Sequence, residues 1–140
     1  MTTLITGGCI CGAIRYECST EPVLSGNCHC RDCQKTSGSG FSASIFVPID
    51  AVKIAGEVKY YDVNGDSGHN VSRGFCPICG SNVFGKPAII AGIIGIRVGT
   101  FDDPSLYQPK MNIFTKNAQK WAFLDPNLPQ FSDMPPQEMI

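Results

Sequence analysis

Along much of the chain apolar residues recur at every second position, the spacing of a strand that buries one face. "AIRYEC" (13–18) puts Ile14, Tyr16 and Cys18 on one side, and "FSASIFV" (41–47) is aromatic and β-branched up to Pro48. "EVKYYDV" (57–63) predicts a strand that stops at "NGDSG", where Asn64 and Gly65 form a strong turn signal. "HNVSRGF" (69–75) alternates again, with His69, Val71, Arg73 and Phe75 on one face. Further strands are expected at "SNVFG", "AGIIGIRVG" and "KMNIFTK". The longest apolar run, "AIIAGIIGI" (88–96), reads as a buried strand pair or one long bulged strand. Helical character is confined to Arg31–Ser37, about two turns closed by a C-cap at Gly38.

The expectation is therefore an all-β domain of short antiparallel strands with little helix, spanning residues 1–124. Fifteen glycines and ten prolines agree with many turns. Residues 125–140, "PNLPQFSDMPPQEMI" after Asp125, form a proline-rich tail expected to lie extended on the surface, anchored by Leu128 and Phe131.

Composition narrows the functional classes. A chain of 140 residues with 43% hydrophobic and 16% charged residues suits one domain with its own core. A formal charge of −1 offers no basic surface for nucleic acid. No apolar run approaches the roughly 18–20 residues of a membrane span, because glycines break "AIIAGIIGI". The N-terminal "MTTLITGGC" carries neither a basic region nor an apolar signal core, so a cytoplasmic address is expected, as a monomer or homodimer. In a reducing compartment the eight cysteines are read as metal ligands or redox groups before disulfides.

Seven of them form three clusters: Cys9 and Cys11 in "GGCICG", Cys28, Cys30 and Cys33 in "NCHCRDC", and Cys76 and Cys79 in "FCPICG". Cys-x-x-Cys-Gly is a zinc knuckle, in which the glycine permits the turn that aims both sulfurs at one ion. Structural zinc takes four ligands, so Cys9, Cys11, Cys76 and Cys79 make one complete site. Disulfides, core thiols or a redox pair at Cys76 and Cys79 are the alternatives. The remaining cluster supplies three thiolates and leaves a position for an exchangeable ligand, the usual arrangement of a catalytic zinc. His29, Asp32 or Cys18 would close it; Cys18 alternates with Ile14 and Tyr16 and reads as a core thiol.

On "GGCICGAIRY", "CHCRDCQKTSGSGF", "SRGFCPICGSNVF", "VGTFDDP" and "KNAQKW", the chain resembles the family of glutathione-dependent formaldehyde-activating enzymes, which includes centromere protein V. The resemblance implies a small all-β, Mss-four-like fold with two Zn2+ per chain. It implies structural zinc at Cys9, Cys11, Cys76 and Cys79, and a second zinc at Cys28, Cys30 and Cys33. It also implies a carbon-sulfur lyase that interconverts S-hydroxymethylglutathione with glutathione and formaldehyde. A thiol entering the open position would be deprotonated by the metal. Glutathione or a similar small thiol would then be the partner, with Arg31, Lys35 and Arg73 as charge partners for its carboxylates. Backbone N–H groups of Ser37, Gly38, Ser39 and Gly40 are further candidate contacts. Where the resemblance implies a histidine before an Ile-aromatic pair, this chain has Asn112, which hydrogen-bonds but cannot shuttle a proton. His69 is the candidate substitute. A zinc module that binds a protein partner, and a redox switch in which the second cluster forms a disulfide, are the competing readings.

Overall fold

The computed structural model describes residues 3–65 and 68–139, and within them the chain is mostly strand. Ten strands follow in order: β1 (Ile5–Gly8), β2 (Arg15–Cys18), β3 (Leu24–Cys28), β4 (Ser42–Pro48), β5 (Val52–Ala55), β6 (Lys59–Asn64), β7 (Asn70–Phe75), β8 (Asn82–Pro87), β9 (Ile93–Arg97) and β10 (Met111–Ile113). One α-helix, α1 (Arg31–Ser37), stands between β3 and β4. It begins on Cys30, whose sulfur accepts from the Cys33 N–H, and ends on Gly38 in the left-handed conformation at φ 69°.

The strands form two sheets. One has the order β1-β2-β5; the other has seven strands in the order β10-β3-β4-β9-β8-β7-β6, antiparallel except where β10 runs parallel to β3. The main core draws on both sheets. Tyr16 of the small sheet, with Ile14 just before β2, packs with Ile45, Val47, Phe84, Ile94 and Ile96 of the large one, and Tyr16 meets Phe84 edge-on at 5.5 Å.

Period-two alternation divides the large sheet into two unlike faces. On β4, Ile45 and Val47 enter the main core, whereas Ser44 and Phe46 face the opposite way. That second face carries Leu24, Gly26 and Cys28 from β3, Val71 and Arg73 from β7, Gly85 and Pro87 from β8, and Arg97 from β9. A second apolar cluster of Leu24, Met111, Ile113 and Phe114 covers part of it, with Phe131 and Met134 packed on top.

Two expectations need correction. Ala88 to Gly92 is the turn between β8 and β9, so "AIIAGIIGI" is neither a strand pair nor one bulged strand. In "KMNIFTK" the strand stops at Ile113: Phe114 takes the left-handed conformation at φ 53°, and Thr115–Asn117 is a 3-10 turn. Residues 125–139 pack along β10. The Asn112 N–H donates to the Pro129 carbonyl at 3.0 Å, the Phe131 N–H to the Asn112 carbonyl at 2.9 Å, and the Phe114 N–H to the Asp133 carbonyl at 3.1 Å. Part of the expected "NGDSG" turn, residues 66 and 67, lies outside the described residues.

Candidate metal centre and its cavity

The Cys-x-Cys pair and the knuckle meet in space although the chain separates Cys11 from Cys76 by 65 positions. The sulfurs of Cys9, Cys11, Cys76 and Cys79 lie within 4.8 Å of one another, with Cys9 to Cys11 at 3.6 Å and Cys11 to Cys76 at 3.7 Å. A tetrahedron with metal-sulfur bonds of about 2.3 Å has sulfurs about 3.8 Å apart, so the observed spacing fits zinc. Backbone geometry prepares the sulfurs for negative charge. Gly12 and Gly80 sit at φ 82° and 79°, and each closes its turn with an N–H to the carbonyl of Cys9 or Cys76. The Ile14 N–H points at the Cys9 sulfur (3.2 Å) and the Ile78 N–H at the Cys76 sulfur (3.4 Å). The Ser81 hydroxyl, at 3.2 Å, is the chief cause that pulls the Cys79 thiol down to about 5. All eight cysteines are free thiols.

Cys28, Cys30 and Cys33 form the second group, again with all sulfurs within 4.8 Å. Cys28 ends β3 and Cys33 lies in the first turn of α1, so strand and helix converge on the cluster. Gln34 locks that junction: its side-chain amide donates to the carbonyls of His29 (2.7 Å) and Asn117 (2.9 Å). The Cys33 thiol is held well below its ordinary range, first by hydrogen bonds from Cys28 and Cys30, then by the positive charges of Arg97 and Arg73. Hydrogen bonding to Cys30 and Cys33, then burial, pushes Cys28 well up. The cluster thus favours at least one thiolate, and its soft donors suit zinc.

None of the residues expected to close this site joins the group. His29 is fully buried, but its Nε2 pairs with the Asn112 Oδ1 at 3.0 Å and its ring packs on Phe41. Asp32 accepts at its backbone carbonyl from Thr36 and stays outside the sulfur cluster. Cys18 is buried in the main core.

The three thiols open onto a cavity of about 90 Å³ on the second face of the large sheet. Its lining is mainly apolar, with Leu24, Phe46, Ile113, Phe114 and Met134 among the walls, and two cations, Arg73 and Arg97, enter it. The lining holds no histidine and no carboxylate among the described residues. Arg73 is 5% exposed and extends Nη2 to 3.9 Å from the Cys33 sulfur. Arg97 donates to Ser44 Oγ (2.8 Å) and Asn82 Oδ1 (3.3 Å). Glycines make the room: a Cβ on Gly85 would stand 3.0 Å from Arg97 Nη2, and one on Gly95 would stand 2.9 Å from the Phe46 ring.

Of the residues expected to bind substrate, Arg73 alone lines this cavity. Arg31, Lys35, Ser37, Gly38 and Ser39 are exposed along and beyond the outer side of α1, where Arg31 bonds Gln34 and Ser37 donates to the Phe41 carbonyl. Gly40 is buried under Trp121. Asn112 is buried on β10 between Met111 and Ile113, which line the cavity, so its side chain turns away toward His29. A histidine at that position would start from a backbone aimed away from the thiols. His69 is exposed in the β6–β7 connection and does not line the cavity. Arg97 escaped the sequence reading, because the alternation of "GIIGIRVG" assigns it to the polar face.

Comparison with known proteins agrees with this geometry. The family profile described as glutathione-dependent formaldehyde-activating enzyme matches residues 4–117. The chain belongs to that family. A protein of Colletotrichum graminicola named "Putative glutathione-dependent formaldehyde-activating enzyme" is 27% identical over 124 residues, covering 80% of this chain. The match spans 64% of that relative's length. A crystal structure of a Rhodobacter sphaeroides protein shares the fold, with a TM-score of 0.55 at 14% identity over 90% of this chain and 98% of the other. Family membership gives the two cysteine groups a common context, since both lie inside the matched residues. Among the described residues no helix is long and apolar enough to cross a membrane.

Proposed function

We propose that the chain is a zinc-dependent carbon-sulfur lyase that acts on glutathione or a similar small thiol and its formaldehyde adduct. The observation that carries this reading is the incomplete cluster: three thiols within 4.8 Å of one another, at the wall of a cavity, with His29, Asp32 and Cys18 all outside the group. Cys28, Cys30 and Cys33 would hold the second zinc, while Cys9, Cys11, Cys76 and Cys79 would hold the first as a structural tie. When bound, zinc supplies a positive centre that favours a thiolate over a thiol. The chain's own contribution is to hold three sulfurs in place through β3 and α1 and to keep water scarce with apolar walls. The family description and the relative's name supply glutathione and formaldehyde as the reactants to test.

The test is exchange spectroscopy by NMR on zinc-loaded protein with glutathione and formaldehyde. Interconversion with S-hydroxymethylglutathione should run faster than in buffer, and Cys33→Ser should lose one zinc together with the acceleration. An unaccelerated exchange, or a Cys33→Ser variant of full activity, contradicts the reading.

A further inference from the structure

Arg73 is the residue in the cavity that the fold leaves most conspicuously unfinished. It is 5% exposed, and its Nε and Nη1 have no hydrogen-bond partner among the described residues. A guanidinium carries five N–H donors, and leaving charged donors buried without acceptors is costly. Among the described residues its one close polar contact is the long approach of Nη2 to the Cys33 sulfur, 3.9 Å. Arg73 on β7 is opposite Gly85 on β8, and Gly85 is opposite Gly95 on β9, so two consecutive strands offer it no side-chain competitor. Arg97 enters the same cavity from β9, paired with Ser44 in register.

Charge sharpens the point. Three thiolates around a divalent ion leave one net negative charge, and two arginines leave the cavity with one positive charge in excess. One additional anion would neutralise it. Among the described residues the lining offers no histidine or carboxylate to move a proton, so negative charge arising there is met by the fixed donors of Arg73 and Arg97.

We propose that Arg73, with Arg97 behind it, is the oxygen-binding cation of this cavity, taking the hydroxymethyl oxygen of the thiol adduct. This rests on the lyase reading for the identity of the ligand. The oxygen is two bonds from the sulfur, and Arg73 stands beside the sulfur cluster, so a sulfur seated next to Cys33 brings the oxygen to the free donors. In breakdown, the oxygen gives its proton to solvent, its electron pair forms the second carbon-oxygen bond of formaldehyde, and the carbon-sulfur bond breaks with its pair going to sulfur. Formation runs these steps in reverse, with the proton taken up from solvent. Arg73 stabilises the alkoxide in both directions. The cavity, about 90 Å³ against the roughly 300–1,000 Å³ of a cleft that buries a whole ligand, takes the reacting end of a thiol and leaves the rest outside.

Formate is the probe, since it offers one carbon and one negative charge without a thiol. Calorimetric titration of the metal-loaded protein should show formate binding that weakens at least about tenfold in Arg73→Gln and less in Arg73→Lys. Metal content should be the same in all three proteins, which shows that the fold survives. Equal formate affinity in wild type and Arg73→Gln overturns the proposal whatever the exchange assay gives. In that assay Arg73→Gln should lower kcat about 10²–10³-fold with KM for glutathione nearly unchanged, and methylguanidinium should restore part of the rate in Arg73→Ala. A variant that raises KM but keeps kcat, with no rescue, also overturns it. Formate binding that depends on Arg73 in a protein without exchange activity would sustain the anion site and sink the lyase reading.

Discussion

Cys11→Ser separates the metal tie from ordinary packing. Cys11 is exposed, so the substitution leaves no hole in the core, yet it removes one of the four sulfurs through which a metal would tie the β1–β2 turn to the β7–β8 turn. A metal held by both sulfurs would cross-link Cys11 to Cys76 across 65 positions. Treated as loop closure in the unfolded chain, a tie of that length is worth about 4 kcal/mol. Structural zinc in small domains contributes on the order of 10 kcal/mol, so loop closure is the smaller share. Total stabilities run about 5–15 kcal/mol, and either figure is a large fraction of that. At roughly 2–4 °C per kcal/mol for a chain of this size, even the smaller share lowers Tm by about 10–15 °C. Thermal unfolding followed by circular dichroism, with zinc quantified in the same samples, reads the effect. The wild type stripped of metal under reducing conditions should fall at least as far. A Cys11→Ser protein that unfolds within about 2 °C of wild type while binding less zinc would refute the idea that this cluster ties the fold together.

Two further outcomes follow from buried and surface polar pairs. Asn112→Ala leaves the buried Nε2 of His29 without its acceptor and should cost about 1–3 kcal/mol in denaturant unfolding; a neutral effect would mean that the pair does not hold β10 to the cluster. Asp102 is held down to about 2, first by hydrogen bonds from Arg15 and then by Thr6. Because its folded value lies below its unfolded one, its contribution is present above about pH 4 and fades as pH falls toward 2. The difference in stability between wild type and Asp102→Asn should shrink across that window, and a pH-independent difference would contradict the assignment.

Much of the site could be read before the fold was known, because its information is local. Glycines after each knuckle mark left-handed turns, and Arg31–Ser37 with Gly38 carries its own stop signal. Counting four sulfurs per closed site separates Cys28, Cys30 and Cys33 from the rest without any knowledge of topology. What local pattern cannot give is what covers the polar face of a strand. β1, "ITGG", and β3, "LSGNC", carry too few apolar residues to show an alternation, because Gly26 stands where Met111 crosses. Arg97 looks solvent-facing beside Ile94 and Ile96, and becomes a cavity residue because β10 and the tail, through Met111 and Met134, wall that face. The Ser/Gly stretch after α1 misleads in the opposite sense. It resembles an anion-binding loop, but α1 turns it to the outside, where Trp121 lies against Gly40.

The most direct test of the central claim is zinc X-ray absorption on fully loaded protein, before and after addition of glutathione. Two metals should share seven sulfurs at first, as the four-thiol and three-thiol groups require, with one oxygen or nitrogen at the second metal. Glutathione should raise the sulfur count to eight and remove the lighter neighbour. A spectrum with two four-sulfur sites before glutathione, or one unchanged by it, would contradict an open position for a thiol at Cys28, Cys30 and Cys33.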